Sequence, residues 1–371
     1  MEIKDDIERF YIQHFIMSKS QNIETPGFVF FRLSGKTPLY ARQVVMPEDF
    51  FVNLEKAMAK RGPETAGRLY STGKRFGYRF SMLGNFSTCK DKPGRQLVSY
   101  IDVINKFIEG TYATRIGCDI DVDRKSVRYT MQNPVVVDKL GYGYFMPLGA
   151  AAGLMSYLFQ DPSIEGVLEG FDLKSGMGSL LYAPSVDLIS AGKSPSTERD
   201  LSGMEPTPEY EEFNRVRKLQ YSDYSLRTLL DSKFFTFDRG FMMCGGERYF
   251  ILEVSALYLI ETNLRDYSGE IYNAAFDVGM QVLKGVKNPT TKTVSDYMSA
   301  FGWGDVLVAS KGAAYFANSD YFPYAKFYRD ASYLIFSGFL AGMLSTLSGR
   351  TVSFSTISKD VRQGYLRVSL S

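Results

Sequence analysis

The chain has 371 residues, of which 45% are hydrophobic and 23% are charged, and its formal net charge at pH 7 is +2. A disordered chain would carry fewer apolar residues and more net charge, so this composition predicts a folded protein with a sizeable core. The basic and acidic residues are interspersed and form no basic stripe. The charge pattern therefore gives no reason to expect a nucleic acid or an acidic lipid as a partner.

The predicted elements alternate between short strands and amphipathic helices. In chain order they are strands at 28–33 and 42–46; helices at 47–60, 64–83 and 96–109; a hairpin at 116–121 and 126–131; an uncharged run at 141–160; helices at 250–265, 268–284 and 293–301; a hairpin at 305–310 and 313–318; a second uncharged run at 331–349; and strand-like alternation at 352–355 and 366–370. This order predicts an α+β fold in which two tandem copies of a mixed domain each pack an antiparallel sheet against helices.

Two pairs of segments indicate that the chain contains an internal repeat. The stretch "GAAAGLMSYL" from Gly149 matches "GFLAGMLSTL" from Gly338 at five of ten positions. Upstream, "GRLYSTGKRFG" from Gly67 and "GEIYNAAFDVG" from Gly269 share Gly, Tyr and Gly at the same spacing. We interpret these matches as a duplication. They predict a first domain at 1–184, a Ser- and Pro-rich linker at 185–208 and a second domain at 209–371.

The two uncharged runs could be membrane spans or buried helices. Each is near the length of a spanning helix, but each is rich in glycine and ends at a turn signal, and neither carries an aromatic belt with flanking Lys and Arg. Strand-like alternation follows both runs. We therefore expect two helices buried inside protein, and no membrane span.

The cysteines and the single histidine bear on the compartment and the chemistry. The odd number of widely spaced cysteines, Cys89, Cys118 and Cys244, excludes a full set of disulfides. With an acidic N-terminal stretch that lacks a signal-peptide layout, this favours a cytoplasmic location. His14, in a predicted amphipathic opening helix, is the only histidine, which argues against a His-rich metal site or a His-based triad.

Each candidate motif for catalysis or cofactor binding lacks a residue that the motif requires. The acidic run from Asp119 lacks the glycine and glutamate of a calcium loop, and "AGKS" from Ala191 lacks the first glycine of a phosphate loop. Tyr70 and Tyr272 recur at equivalent helical positions and remain open to two interpretations. They are either ligand-orienting or acidic hydroxyls, or core tyrosines with a bonded tip. We expect no catalytic residue, no metal and no cofactor.

The order of the elements, the tyrosine-bearing helix and the glycine helix that runs into "GRTVSF" resemble a known family. The family is the 4-vinyl reductase domain, also called the hydrocarbon-binding domain, whose fold is shared with TRAPP vesicle-tethering subunits and with ligand-binding modules of nitric-oxide signalling. The resemblance is closer over 272–370 than over 70–182. Many members place cysteines four residues before and after a turn glycine, where this chain has Asp172, Leu180, Asp360 and Val368. A thiolate zinc site is therefore not expected.

The resemblance implies an apolar pocket between helices and sheet that holds a small hydrophobic molecule. The candidate lining residues are Tyr70, Phe76, Phe80, Phe145, Tyr272, Phe276, Val282 and Phe336. The same side chains could instead fill a solid core. Members of this fold commonly dimerise, so the copies are expected to pair within the chain or as a homodimer.

Three functions follow from this interpretation. The first is non-catalytic binding or sensing of a small apolar molecule, with output through an unknown protein partner. The alternatives are a TRAPP-like structural adaptor and a reductase of a vinyl or tetrapyrrole-type substrate.

Overall fold

The computed structural model describes residues 21–32, 40–140, 145–195, 219–238, 241–324, 331–360 and 365–371. It divides the chain into two compact units. The first unit comprises Met1–Ser20, Ala59–Pro206 and Arg239–Phe241, and the second comprises Gln21–Met58, Thr207–Asp238 and Met242–Ser371. The predicted opening helix with His14, and the linker from residue 196 onward, lie outside the described residues.

Helices and antiparallel sheets both occur along the chain, which confirms the predicted α+β class. In chain order the elements are β1 (Gln21–Asn22), β2 (Val29–Arg32), β3 (Tyr40–Pro47), α1 (Glu48–Ala59), α2 (Glu64–Leu83), α3 (Arg95–Ile108), β4 (Arg115–Asp121), β5 (Ser126–Gln132), α4 (Val137–Leu140), α5 (Phe145–Leu158), β6 (Ile164–Asp172), β7 (Met177–Pro184), α6 (Ser185–Ser190), α7 (Leu226–Asp231), β8 (Thr236–Asp238), β9 (Phe241–Cys244), β10 (Glu247–Glu253), α8 (Val254–Asn263), α9 (Ser268–Val282), α10 (Thr291–Ala300), β11 (Asp305–Lys311), β12 (Ala314–Asp320), α11 (Leu334–Ser348), β13 (Phe354–Asp360) and β14 (Tyr365–Leu370).

The two units contain four-stranded sheets with the same strand order. In the first unit the order is β4-β5-β7-β6, and in the second it is β11-β12-β14-β13. Each sheet consists of two hairpins whose second strands pair with each other, and every pairing is antiparallel. In each case the first hairpin follows one helix and the glycine helix connects it to the second hairpin.

A pair of helices packs in each unit, α2 with α5 and α9 with α11, and glycine lets the backbones meet. A Cβ built on Gly77 would overlap the carbonyl oxygen of Ala150, and one built on Gly279 would overlap that of Phe339. Ala150 and Phe339 occupy the same position in the two matched ten-residue segments. Similarly, Cβ atoms on the first glycines of those segments would meet the Tyr70 and Tyr272 carbonyl oxygens, respectively. Contacts between equivalent positions therefore recur in the two helix pairs, while the duplication itself stays a prediction.

The uncharged helices are short. Among the described helices, none is both long enough and apolar enough to cross a membrane. Helix α11 is buried from Ile335 to Ser345, and its first residue and last three residues are partly exposed.

The second unit also contains a six-stranded sheet with the order β1-β2-β3-β10-β9-β8. Its central pair joins β3 to β10, with Met46 opposite Phe250. The chain segment Gln21–Met58, which the sequence assigned to a first domain at 1–184, thus belongs to the compact unit that holds the C-terminal half.

One predicted helix begins too early. The interpretation of 250–265 as a helix is wrong for its first residues, because Glu247–Glu253 is a strand and the helix begins at Val254. A continuous apolar run such as "YFILEV" fits a buried strand as well as a buried helix, and pairing with β3 decides between them.

Candidate functional site

In the first unit the predicted pocket residues lie on α2 and at the start of α5. Tyr70 is 1% exposed and Phe76 is 7% exposed. Phe80 and Phe145 are half-buried. The Phe76 and Phe80 ring centroids are 5.8 Å apart, so these two side chains form part of one apolar patch on α2.

A buried polar network surrounds the Tyr70 hydroxyl. This hydroxyl donates to Glu165 Oε2 at 2.6 Å and accepts from the Gly166 backbone N–H at 2.8 Å. Lys74 Nζ lies 2.7 Å from Glu165 Oε1 and also donates to the Pro162 carbonyl at 3.0 Å. The Lys74 and Glu165 side chains are 0% and 1% exposed. A buried ion pair, to which the Tyr70 hydroxyl is hydrogen-bonded, therefore joins helix α2 to the start of strand β6.

Burial is the main influence on the pKa of Tyr70. It raises the pKa of Tyr70 far above its ordinary value, and the negative charge of Glu165 adds to the effect. The hydroxyl therefore stays protonated and acts as a donor to the carboxylate, which is the second of the interpretations left open by the sequence.

The equivalent positions in the second unit carry no charge. Lys74 corresponds to Phe276, counting from the shared Gly and Tyr of the two helices. Glu165 corresponds to Ser353, because Ser156 and Ser345 both bond to the residue just before it. The Tyr272 ring lies 6.2 Å from the Phe276 ring and 5.3 Å from the Phe354 ring. Rings thus occupy the space where the first unit has charges.

The predicted residue Phe336 belongs to a buried aromatic cluster where α10 ends, β11 begins and α11 begins. Its ring lies 5.5 Å from Trp303 and 5.0 Å from Phe322. Tyr324 and Tyr333 stack on each other at 5.7 Å and both contact Phe322. We call these five residues the Trp303 cluster. Each member is 3% exposed or less.

The Trp303 cluster contains a buried donor without a partner. Within the described part of the chain, Trp303 Nε1 makes no hydrogen bond, although the indole is fully buried. An indole nitrogen can only donate. Leaving such a group unsatisfied costs about 1–3 kcal/mol. The arrangement can therefore take up one hydrogen-bond acceptor presented by an apolar body.

A buried carboxylate fixes one side of the cluster. Glu261 accepts from the backbone N–H groups of Tyr333 at 2.8 Å and Ile335 at 3.0 Å, and from the Tyr324 hydroxyl at 3.3 Å. Burial raises the pKa of Glu261, although these hydrogen bonds act in the opposite direction. Glu261 thus connects α8 to the first turn of α11 and to both stacked tyrosines.

Two tyrosines beside Trp303 adopt a left-handed backbone. Tyr321 has φ 59° and Tyr333 has φ 58°. This conformation is unusual for a bulky side chain and costs roughly 1 kcal/mol or more. Asn133 holds the position equivalent to Tyr321 in the first unit, with φ 47°. Asparagine tolerates such angles well, so Tyr321 carries strain that its counterpart avoids, although Val136 in the first unit is also left-handed, with φ 68°.

A surface cleft of about 380 Å³ lies elsewhere in the second unit. It is lined by Tyr224, Leu229, Ser232, Lys233, Phe234, Gly285, Val286, Thr293, Asp296 and Tyr297. Asp296 accepts from the Ser222 hydroxyl at 2.9 Å and pairs with Lys292. Its charge is thus already balanced. Val282, the remaining predicted residue, is buried at the end of α9.

Sequence reasoning missed several of these groups. Lys74 and Glu165 are 91 residues apart. Lys74 lies in the matched segment from Gly67, but at a position where the other segment has Phe276. Trp303 carried the one available signal, because it is the only tryptophan in the chain. No group of three or more His, Cys, Asp or Glu among the described residues is placed to hold a metal ion.

Comparisons with known proteins yield one distant structural neighbour to report. No family model matches the chain. No curated protein matches it either. Among solved structures, the crystal structure of the phenol-responsive sensory domain of the transcription activator PoxR with phenol is 15% identical, with a TM-score of 0.31. The match covers 39% of this chain and 87% of that chain.

Proposed function

We propose that this protein binds a small neutral apolar molecule at the Trp303 cluster without chemically changing it. The observation that carries the proposal is the unpartnered Trp303 Nε1–H, which is fully buried among aromatic rings. Burying a donor without an acceptor is unfavourable, and a ligand acceptor would remove that cost. The aromatic walls favour a flat or cyclic hydrocarbon body.

The geometry also supports a sensing role. The rings are in contact and buried, so an incoming molecule reaches Trp303 only when they separate. Tyr333 and Ile335 begin helix α11 and are held by Glu261. Separation of the rings therefore shifts the start of this helix, which gives binding a structural consequence that a protein partner can read. The partner and the predicted pairing of the two copies stay predictions.

The test compares two ring molecules that differ in one group. Cyclohexanone carries a carbonyl acceptor, and methylenecyclohexane has a CH₂ group in its place. Isothermal titration of the full chain should show cyclohexanone binding about fivefold more tightly, since one hydrogen bond contributes about 1 kcal/mol. The emission of Trp303, the only tryptophan, should shift on binding.

Two variants locate the site. Trp303→Phe keeps an aromatic ring and removes the donor, so it should abolish the preference for cyclohexanone. Tyr224→Ala, in the surface cleft, should leave the preference unchanged. Equal binding of the two compounds, or a preference that survives Trp303→Phe, would contradict the proposal.

A structural adaptor is the second candidate, and the closed interior of the first unit favours it. The Lys74–Glu165 pair and the Tyr70 hydroxyl are bonded to each other and buried. If neither compound binds to the full chain at millimolar concentration, the adaptor function becomes the better explanation.

A further inference from the structure

We infer that the two units have divided their roles: the second takes one ligand molecule per chain, and the first is held shut by the Tyr70–Lys74–Glu165 network. The inference rests on the proposed function and adds the stoichiometry and the place of binding. It is carried by a comparison of equivalent positions in two units with the same sheet order.

The first unit has no aromatic ring at four of the five positions of the Trp303 cluster. Arg115 pairs with Gln132 at the end of one hairpin, and Asp305 pairs with Asp320 at the same place in the other. Counting from these pairs, and from the matched glycines of the helices, gives the equivalent residues. Trp303, Phe322, Tyr324 and Phe336 correspond to Ala113, Pro134, Val136 and Pro147. At these four positions the first unit therefore has neither an indole donor nor an aromatic ring.

The network supplies the second half of the inference. Lys74 and Tyr70 lie on α2, and the groups they bond, Pro162 O, Glu165 and Gly166 N, lie at the start of β6. An apolar molecule that entered between α2 and the sheet would separate the charges. A neutral apolar molecule has no charged group that could replace Lys74 or Glu165 as a partner of the other, and an isolated buried charge is strongly unfavourable.

The second unit has no ion pair between its helix and its sheet at these positions, where the Tyr272 hydroxyl lies near the Phe354 backbone N–H. Phe276 stands where the first unit has Lys74, and it is half-buried. Ser353 stands in place of Glu165 and is exposed, with its backbone paired to Ser371. Opening of the second unit at this level separates no charges, and a hydrocarbon ligand can replace the apolar contacts that it breaks.

The experiment measures stoichiometry with cyclohexanone on the full chain. Titration calorimetry should give one molecule per chain for the wild type and about a fivefold loss of affinity for Trp303→Phe. Two molecules per chain would overturn the inference and leave the proposed function standing. A site of unchanged affinity in Trp303→Phe would overturn it as well. No binding to the wild type at all would overturn the proposed function and the inference together.

Hydrogen–deuterium exchange of the wild type gives the same test without a variant that could misfold. Saturating cyclohexanone should slow exchange in peptides covering 301–324 and 331–345. Peptides covering 64–83 and 162–172 should be unchanged. Slowing of equal size in the latter peptides would show binding in the first unit and would sink the inference.

Discussion

Replacing Lys74 by methionine removes one charge of a buried pair and keeps the length of the side chain. At 2.7 Å, two unit charges attract by about 6 kcal/mol for an effective dielectric constant of about 20. Transfer of both ions from water costs several kcal/mol each, so the intact pair is nearly neutral relative to apolar residues. The variant leaves Glu165 charged and buried beside the Tyr70 hydroxyl. The expected loss of stability is about 3–5 kcal/mol.

A double-mutant cycle distinguishes pairing from packing. Glu165→Gln retains a carbonyl oxygen for the Tyr70 hydroxyl and removes the charge, and alone it should cost about as much as Lys74→Met. The double variant has no isolated charge, so its loss should fall short of the sum by about 2 kcal/mol or more. The matched control is Arg128→Met. Arg128 is 53% exposed and pairs with Glu169 in the same unit, so this change should cost under about 1 kcal/mol.

Urea unfolding followed by far-UV circular dichroism measures these losses, and amide exchange of 64–83 shows whether they arise in the first unit. Trp303 emission reports on the second unit alone, since the chain has no other tryptophan. A loss below about 1 kcal/mol for Lys74→Met, or strict additivity in the cycle, would refute the assignment of a buried, coupled pair.

Three further predictions follow from individual residues. Gly342→Ala should cost about 3 kcal/mol or more in thermal unfolding, because its Cβ overlaps helix α9; Gly269→Ala, with open space around it, should be neutral or stabilising by up to about 1 kcal/mol. Burial raises the pKa of the Cys244 thiol to about 11, so alkylation by iodoacetamide at pH 8, followed by mass spectrometry, should run far more slowly than for a model thiol, and rapid labelling would contradict this. Burial alone would raise the pKa of Asp161, but hydrogen bonds from Lys125 and from Ser163 hold it below its ordinary value. Its contribution is therefore present above the unfolded pKa near 3.9 and is lost as pH falls through the folded value. Asp161→Asn should lower stability by about 1 kcal/mol at pH 7 and flatten the acid side of the stability curve, and an unchanged curve would rule this out.

Local pattern was sufficient for much of the fold. Helix α2 was predicted at 64–83 and occupies Glu64–Leu83. Both four-stranded sheets begin with a hairpin within two residues of its predicted bounds. Glycine spacing was informative because close helix packing requires the absence of Cβ at specific positions, and those positions recur in the helix pairs of the two units.

Long-range pairing was beyond the reach of local pattern. Residues Glu247–Glu253 form strand β10 and not a helix because they pair with β3, which lies some two hundred residues earlier in the chain. The ion pair is similar: nothing around Lys74 distinguishes it from a solvated helical lysine until β6 brings Glu165 to it. Tyr70 and Phe336 were chosen as pocket residues by their helical positions. Only the structure shows that Tyr70 is a hydrogen-bonded core tyrosine. It also shows that Phe336 lies beside Trp303, whose indole donor has no partner among the described residues.

Glu261 determines what opening of the Trp303 cluster would require. Its two oxygens hold the first backbone N–H groups of α11 and the Tyr324 hydroxyl. A carboxylate at a helix N-terminus is favoured by the helix dipole as well as by these bonds. Tyr333 cannot leave its stack on Tyr324 without disturbing at least one of them. Movement of the rings and movement of the helix start are thus coupled through one side chain. In the proposed function, this coupling transmits the binding of a small apolar molecule at Trp303 to the position of a buried helix.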